Sequence, residues 1–167
     1  LGDINGDSFN DIGFDDYVLF GKALFPSTVD LKDLDGTNGF TLSSISFEYL
    51  DSYSSYGDFN KDGMDDMLFV KNNIIYILYG KSTWNPVVNI SSLTASEALR
   101  INIRYAAKYS LSFIGDVNND SVDDILIGSS NTAYDDNPNH IPDISYVIFG
   151  KKIIDTEKPT IADCPTD

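Results

Sequence analysis

Three near-copies of one acidic loop constrain the fold of this 167-residue chain more than any other feature. The copies read GDINGDSFNDI, GDFNKDGMDDM and GDVNNDSVDDI and start at Gly2, Gly57 and Gly115. Their first aspartates, Asp3, Asp58 and Asp116, are 55 and 58 residues apart. A period of this size is a whole supersecondary unit, so the chain is predicted to be an array of such units.

Each acidic loop is followed by an apolar run that ends in an aromatic residue, glycine and lysine. These runs read YVLFGK, IYILYGK and YVIFGKK. Their Tyr, Phe, Val and Ile residues favour strands. For a complete module we predict one strand before the loop, a second after it, a third carrying the run and a fourth from the connector, as in FTLSSI near Phe40 and ALRINI near Ala98. Four short antiparallel strands per module are typical of a β-propeller blade, so the predicted class is all-β.

Several local features follow from this scheme. Residues 71–73 form a short hairpin turn, because asparagine tolerates the left-handed conformation that such turns use. The strand DDILIGSS is mostly apolar and is predicted to be buried on both faces. A loop from Ser129 to Asp143, rich in Asn, Asp and Pro, comes next. The segment from Ser96 is the best candidate for a short helical turn, although the repeat favours a strand there.

Each acidic loop carries Asp, Asn, Asp and Asp at positions 1, 3, 5 and 9, counted from its first aspartate. A tight turn directs such alternating side chains towards a central ion, and position 7 adds a backbone carbonyl. Oxygen ligands without His or Cys select calcium over zinc, and magnesium prefers a stricter octahedron. We therefore predict one Ca²⁺ per loop, about three ions in all. The predicted ligands are Asp3, Asn5, Asp7, Phe9 and Asp11; Asp58, Asn60, Asp62, Met64 and Asp66; and Asp116, Asn118, Asp120, Val122 and Asp124.

Two alternative structures share part of this loop pattern. An EF-hand begins in the same way, but it needs an acidic residue at position 12. Here position 12 is Phe14, Phe69 or Ile127, the position-6 glycine is present only as Gly63, and the flanking segments read as strands. A set of solvated Asx-turns without metal is the second alternative. The repetition of three loops in register favours the cation sites over such turns.

The charge of the chain supports metal binding and argues against nucleic acid. The formal net charge is −15, from 26 acidic and 11 basic residues, and nine of the acids stand at positions 1, 5 and 9 of the loops. Such crowded carboxylates repel one another without a cation, so folding and metal binding are predicted to be coupled. No basic patch is visible for a nucleic acid. No apolar run approaches the roughly 18 residues of a membrane span.

The acidic loop between strands, the run ending in FGK and the segment LDGTNGF together resemble the FG-GAP repeats of integrin α-subunit propellers and their microbial relatives. The resemblance covers nearly all of residues 1–154. It implies three blades, at about 1–50, 51–107 and 108–154, from the C-terminal part of a seven-bladed propeller with calcium loops between the first two strands of each blade. The Gly-Ala-Pro element of the family is not literally present, since the second-strand regions read IGSSN and FVKNN.

The ends of the chain extend this interpretation. The first module lacks a strand before its loop and the third lacks a fourth strand, so we expect the rest of the propeller to lie elsewhere in a longer chain. The tail DTEKPTIADCPTD, residues 155–167, is similar to a linker and the opening of a hyalin-type repeat. That resemblance implies that Cys164 pairs beyond this segment in an oxidising compartment. The alternative is a free cysteine in a loose tail.

The resemblance implies a calcium-binding propeller, extracellular or at the cell surface, that serves adhesion or protein or glycan binding within a larger multidomain protein. The segment shows no nucleophile and base constellation, so it is not expected to be an enzyme. Two alternatives are the non-catalytic propeller of a carbohydrate- or lipid-active secreted enzyme and a structural subunit of a surface filament.

Four further residues have narrower expectations. His140 is the only histidine, and it is expected to be an ordinary surface-loop residue. Trp84 is expected to pack in the core rather than to stack on a ligand. Asn89 and Asn119 lie in glycosylation sequons, and Asn89 is the better acceptor because Asn119 is inside a metal loop.

Overall fold

The structure, a computed structural model, describes residues 1–14, 16–43, 53–54, 56–71, 73–102, 108–130 and 144–152. Within these ranges the regular elements are strands and two short 3-10 turns, and no α-helix is present. The prediction of an all-β chain is therefore confirmed. The strands are β1 Ile12–Phe14, β2 Tyr17–Leu19, β3 Gly39–Ser43, β4 Tyr53–Ser54, β5 Met67–Lys71, β6 Ile74–Leu78, β7 Val87–Asn89, β8 Ala98–Asn102, β9 Lys108–Gly115, β10 Asp124–Ser130 and β11 Ile144–Ile148; the 3-10 turns are Leu31–Asp33 and Ile90–Ser92.

These strands form three small sheets, one for each copy of the acidic loop. The first sheet has the order β1-β2-β3-β7, the middle sheet β4-β5-β6-β8 and the third sheet β11-β10-β9. All pairings are antiparallel except that of β3 with β7, which is parallel and aligns Thr41 with Val87. The middle sheet therefore has the four antiparallel strands that the repeat predicts. Strand β7 was not expected, and it links the middle module to the first sheet.

The local turn predictions can be compared directly with the backbone. Strands β5 and β6 pair from Lys71 with Ile74, so Lys71 lies in β5 rather than in the predicted turn, and Asn73 between the strands has a φ of 59°. This confirms the asparagine-based hairpin. The segment near Ala98 forms β8, so the strand expected from the repeat is confirmed over the helical turn. Strand β10 continues through Ser130, so the predicted loop from Ser129 begins two residues too early.

The three sheets pack in series, and the middle sheet has both faces buried. Along β5, Met67 and Phe69 face the first sheet, while Leu68 and Val70 face the third, because successive side chains alternate across a strand. The cluster between the first and middle sheets contains Ile4, Val18, Phe20, Phe40, Leu42, Met67, Phe69, Tyr76, Leu78, Trp84, Val88, Ile90, Leu93 and Ala98. The cluster between the middle and third sheets contains Phe59, Leu68, Val70, Ile75, Ile77, Tyr79, Ile101, Tyr109, Leu111, Ile125, Ile127 and Ile148.

The outer faces of the first and third sheets are apolar and exposed. In β10, Ile125 and Ile127 are buried but Leu126 is 38% exposed, so the prediction that both faces of this strand are buried is wrong. The physical reason is that the middle sheet covers one face and none of the described residues covers the other. Exposed apolar residues of the outer sheets and their borders include Ile12, Phe14 and Val87 of the first sheet, and Leu126, Val147 and Phe149 at the third.

Backbone hydrogen bonds join consecutive acidic loops at the edge of this stack. The Asp65 N–H donates to the carbonyl of Asp3 at 3.0 Å, and the Lys81 N–H donates to the carbonyl of Ile4 at 3.0 Å. The same two bonds recur one module later, where Asp123 donates to Asp58 at 3.3 Å and Lys151 donates to Phe59 at 3.1 Å. Each loop is therefore held against the next by equivalent contacts.

Candidate metal loops

The three acidic loops share one unusual backbone conformation. Positions 4 and 6 of each loop have positive φ, the left-handed region that non-glycine residues enter at a cost. Position 4 is Gly6, Lys61 and Asn119, with φ of 75°, 57° and 64°, and position 6 is Ser8, Gly63 and Ser121, with φ of 73°, 90° and 68°. The repeat of the sequence is thus a repeat of backbone geometry, including at positions where glycine is absent.

Side chains at positions 1, 3 and 5 hold this conformation by accepting backbone N–H groups. In the first loop the two oxygens of Asp3 accept from Asp7 at 2.9 Å and from Ser8 at 2.7 Å. Asn5 Oδ1 also accepts from the Asp7 N–H, Asn5 Nδ2 donates to Asp7 Oδ2, and Asp7 Oδ1 accepts from the Phe9 N–H. The equivalent bonds in the other two loops measure between 2.7 and 3.0 Å.

Position 9 is the buried member of each set. Asp11, Asp66 and Asp124 are 3%, 2% and 0% exposed. Asp11 Oδ2 accepts the N–H of Ile4 and Oδ1 accepts the N–H of Gly21, both at 2.8 Å. Asp66 and Asp124 make the corresponding pairs of bonds to Phe59 and Gly80 and to Val117 and Gly150, each at 2.9 Å. The carboxylate therefore ties the start of the loop to the glycine of the following FGK or YGK run.

Burial raises the pKa of the position-9 carboxyl in the first two loops. For Asp11 the pKa rises from 3.8 to about 6, mainly by desolvation, and the nearby charges of Asp7 and Asp3 add to the increase. Desolvation also raises the pKa of Asp66 well above its usual value, with smaller contributions from Asp62 and Asp58. Since each carboxyl senses the charges at positions 1 and 5, the loops bring these groups close enough to repel.

The glycines of the three runs allow this close approach. A Cβ atom added to Gly21, Gly80 or Gly150 would lie 2.3, 2.5 or 2.2 Å from the carbonyl oxygen of position 8, which is Asn10, Asp65 or Asp123. Any side chain at these glycines would therefore push the loop away from the strand. Sequence reasoning noticed that the loop and the run repeat together but missed the contact that couples them.

The oxygen donors of the loops suit a hard cation, although the loop side chains are not arranged as a closed binding site. Among the described residues, no three His, Cys, Asp or Glu side chains are arranged to hold a metal ion. Each carboxylate oxygen instead accepts an N–H, from the backbone or, at Oδ2 of position 5, from the side-chain amide of position 3. Because such an oxygen has two lone pairs, one stays available for a cation. Phe9, Met64 and Val122, the position-7 residues, lie beside position 5 through their own N–H groups.

Other residues singled out from the sequence have mixed outcomes. Trp84 is buried and stacks on Phe40 with ring centroids 4.2 Å apart, so its predicted role in packing is confirmed. Asn89 is exposed at the end of β7, and its side chain accepts the N–H of Ser91. His140 and Cys164 lie outside the described residues, as do nearly all of the loop up to Asp143 and the whole tail at 155–167. In the described part of the chain, no helix has the length and apolar character to cross a membrane.

Sequence reasoning also missed a polar cluster around Glu97. Its carboxylate accepts the backbone N–H of Thr94 at 3.0 Å and the hydroxyl of Thr94 at 2.9 Å, and it pairs with Lys81 at 3.0 Å. These bonds, led by the one to the Thr94 backbone, lower the pKa of Glu97 from 4.5 to about 2. The available signal was the spacing Thr-x-x-Glu, which places a side-chain oxygen next to the threonine N–H.

Comparison with known proteins adds no relative to this description. Neither the protein-family models, nor the curated proteins, nor the solved structures contain a match to the chain.

Proposed function

We propose that this chain is a calcium-binding segment of an extracellular β-propeller of the FG-GAP type. In this proposal Ca²⁺ is bound by positions 1, 3, 5, 7 and 9 of each acidic loop and has a structural role. The propeller serves adhesion, through a protein or glycan ligand, within a larger surface protein, and this segment carries no catalytic activity.

One observation carries the metal proposal: three loops hold the same oxygen-bearing side chains on the same hydrogen-bonded backbone. Desolvation raises the pKa values of the buried Asp11 and Asp66, and repulsion from the carboxylates at positions 1 and 5 adds to the increase. A divalent cation would offset that repulsion and would be bound by oxygen alone, which is the donor set that calcium prefers. Neutral solvated turns would leave the repulsion uncompensated.

The propeller proposal is supported by how the sheets stack. Two junctions repeat the same loop-to-loop hydrogen bonds and the same burial of one apolar face against the next. The outward faces at both ends, with Phe14 on the first sheet and Leu126 and Val147 on the third, keep this apolar character. Further blades of the same kind would bury them, and we propose that the rest of the propeller does so.

Location and partners are proposed on narrower grounds. Asn89 stands exposed within a sequon next to the first turn of Ile90–Ser92, which suits an N-linked glycan on a secreted protein. The strongly acidic charge of −15 disfavours a phosphate-rich partner and leaves a protein or glycan ligand.

Calorimetric titration with calcium, combined with thermal melting in chelator, tests the metal proposal. We expect about three sites and a melting temperature that falls when calcium is removed, because each occupied site stabilises the folded state by about 2.7 kcal/mol at a hundredfold excess over its Kd. The triple variant Asp7→Asn, Asp62→Asn and Asp120→Asn keeps one acceptor oxygen at each position 5 for the N–H of position 7 but loses three charges, so calcium binding should weaken at every loop.

Asp35→Asn is the matched control, because Asp35 is an exposed aspartate that accepts backbone N–H groups in a turn outside the loops. It should titrate like the unmodified chain. Equal melting temperatures in calcium and in chelator would refute the metal proposal.

A further inference from the structure

Position 8 of the second and third acidic loops makes a contact that the ligand pattern does not explain. Asp65 Oδ2 accepts the backbone N–H of Asp3 at 2.8 Å, although the two residues are 62 positions apart. Asp123 Oδ2 accepts the N–H of Asp58 at 3.0 Å across the next junction. Each of these carboxylates belongs to one loop in the sequence and bonds to the preceding loop in space.

Asp3 and Asp58, which donate these hydrogen bonds, are the first predicted ligands of their loops. Asp3 and Asp58 each accept the N–H groups of positions 5 and 6 on their two carboxylate oxygens. Their own backbone is held on both sides by the following loop, since the Asp3 carbonyl accepts from Asp65 and its N–H donates to the same residue. The orientation of the first ligand is therefore set by a residue of the next module.

The packing around Gly2 shows that this contact is tight. A Cβ atom on Gly2 would lie 2.0 Å from Asp65 Oδ2, so a side chain there would displace the carboxylate from the Asp3 N–H. The hydrogen bond from the Asp3 N–H to the Asp65 carboxylate thus depends on a glycine directly before the first ligand. Hydrogen-bond partners that orient a metal ligand commonly change metal affinity when they are removed.

We propose that Asp65 and Asp123 are positioning residues that act across the junctions: Asp65 sets the cation affinity of the first loop and Asp123 that of the second. Neither sets the affinity of the loop that carries it in the sequence. This inference rests on the proposed calcium function, and it makes the first two cation sites each depend on a side chain of the following module.

Calcium titration followed by ¹H–¹⁵N NMR, with the affinity of each loop measured separately, tests whether Asp65 and Asp123 act across the junctions. The amides of Gly6, Gly63 and Asn119 report on the first, second and third loops. We expect Asp65→Ala to weaken calcium binding at the first loop about tenfold and to leave the second loop unchanged. Asp123→Ala should weaken the second loop by a similar factor and leave the third unchanged.

Two further variants distinguish the loss of the hydrogen bond from the loss of charge and from a non-specific effect of substitution at position 8. Asp65→Asn keeps an acceptor oxygen for the Asp3 N–H, so it should restore most of the affinity of the first loop that alanine removes. Asn10→Ala changes the same position in the first loop, where the side chain makes no hydrogen bond among the described residues, and it should leave all three affinities unchanged. If Asp65→Ala does not fold, Asp123→Ala still tests the effect across the second junction.

The outcomes distinguish this inference from the calcium proposal. An absence of calcium-induced shifts in the unmodified chain would refute the calcium function and, with it, the effect on affinity. If Asp65→Ala weakens calcium binding at the second loop, or equally at all loops, then Asp65 does not act across the junction. That result would overturn this inference and leave the calcium proposal standing. Hydrogen exchange at the Asp3 amide gives a metal-free readout, since Asp65→Ala should accelerate it while Asn10→Ala should not.

Discussion

Ser8 and Ser121 adopt a left-handed backbone at the position where the middle loop has Gly63. Because glycine enters this region without the clash of a Cβ atom, Ser8→Gly and Ser121→Gly should each stabilise the fold by about 0.5 kcal/mol, the balance of relieved strain and added chain entropy. Denaturant unfolding measures this change. Ser82→Gly is the control, since Ser82 is exposed without a positive φ and should lose stability. Equal losses in all three variants would contradict the prediction.

At the scale of single residues, the sequence identified the type and spacing of the loop side chains but not their partners. The interval of 1, 3, 5 and 9 follows from local chain geometry, so it can be read from the loop itself. The bond from Gly150 to Asp124 spans 26 positions and the bond from Asp3 to Asp65 spans 62. Such contacts depend on how strands return to a loop, which a local pattern does not encode.

The glycine inside each FGK or YGK run holds the end of a strand against the acidic loop of its module. In Gly80→Ala the new Cβ atom would lie 2.5 Å from the Asp65 carbonyl oxygen and would disturb the bond from the Gly80 N–H to Asp66. We expect a loss of about 2 to 3 kcal/mol in the free energy of unfolding, as for other overpacked sites. Chemical denaturation of the purified variant measures it.

Gly128→Ala provides the control for this substitution. Gly128 lies inside β10, and a Cβ atom there would have its nearest neighbours at 3.8 Å or more, which is ordinary contact. It should cost less than about 1 kcal/mol. A loss at Gly80 no larger than the loss at Gly128 would show that the close approach is not rigid.

At the scale of elements, strands with an alternating or β-branched pattern were predictable and their environments were not. The expected second, third and fourth strands are present as β5, β6 and β8 in the middle module. Strand β7 was missed because it has only three residues and pairs in parallel with β3, a strand of the preceding module. The exposed face of β10 was missed because its composition is apolar, and burial depends on whether a neighbouring sheet covers it.

For the whole molecule, the acidic loops determine how stability varies with pH. The pKa of Asp11 is raised to about 6 in the folded chain from 3.8, so its contribution to stability is complete below pH 3.8 and is lost as the pH rises through about 6. The raised pKa values of Asp58 and Asp66 act in the same direction. In chelator, we therefore expect the melting temperature to rise when the pH is lowered from 7 to 5.

Calcium should reverse this trend, because protons compete with the cation for the same carboxylates. Glu97 does not interfere, since its pKa is lowered to about 2 and its contribution is lost only as the pH falls from 4.5 towards that value. Parallel melting curves at pH 5 and 7, with and without calcium, provide the measurement. A melting temperature in chelator that falls on acidification to pH 5 would contradict the assignment of raised pKa values to the loops.

The burial of the middle sheet on both faces has a consequence for cooperativity. Among the residues that the structure describes, the first and third sheets each share a core cluster with the middle sheet and none with each other. The free energy of such an array approximates a sum of module terms and nearest-neighbour terms, as in a one-dimensional Ising chain. A defect in an outer sheet then breaks one interface, whereas a defect in the middle sheet breaks two and divides the array into separate folding units.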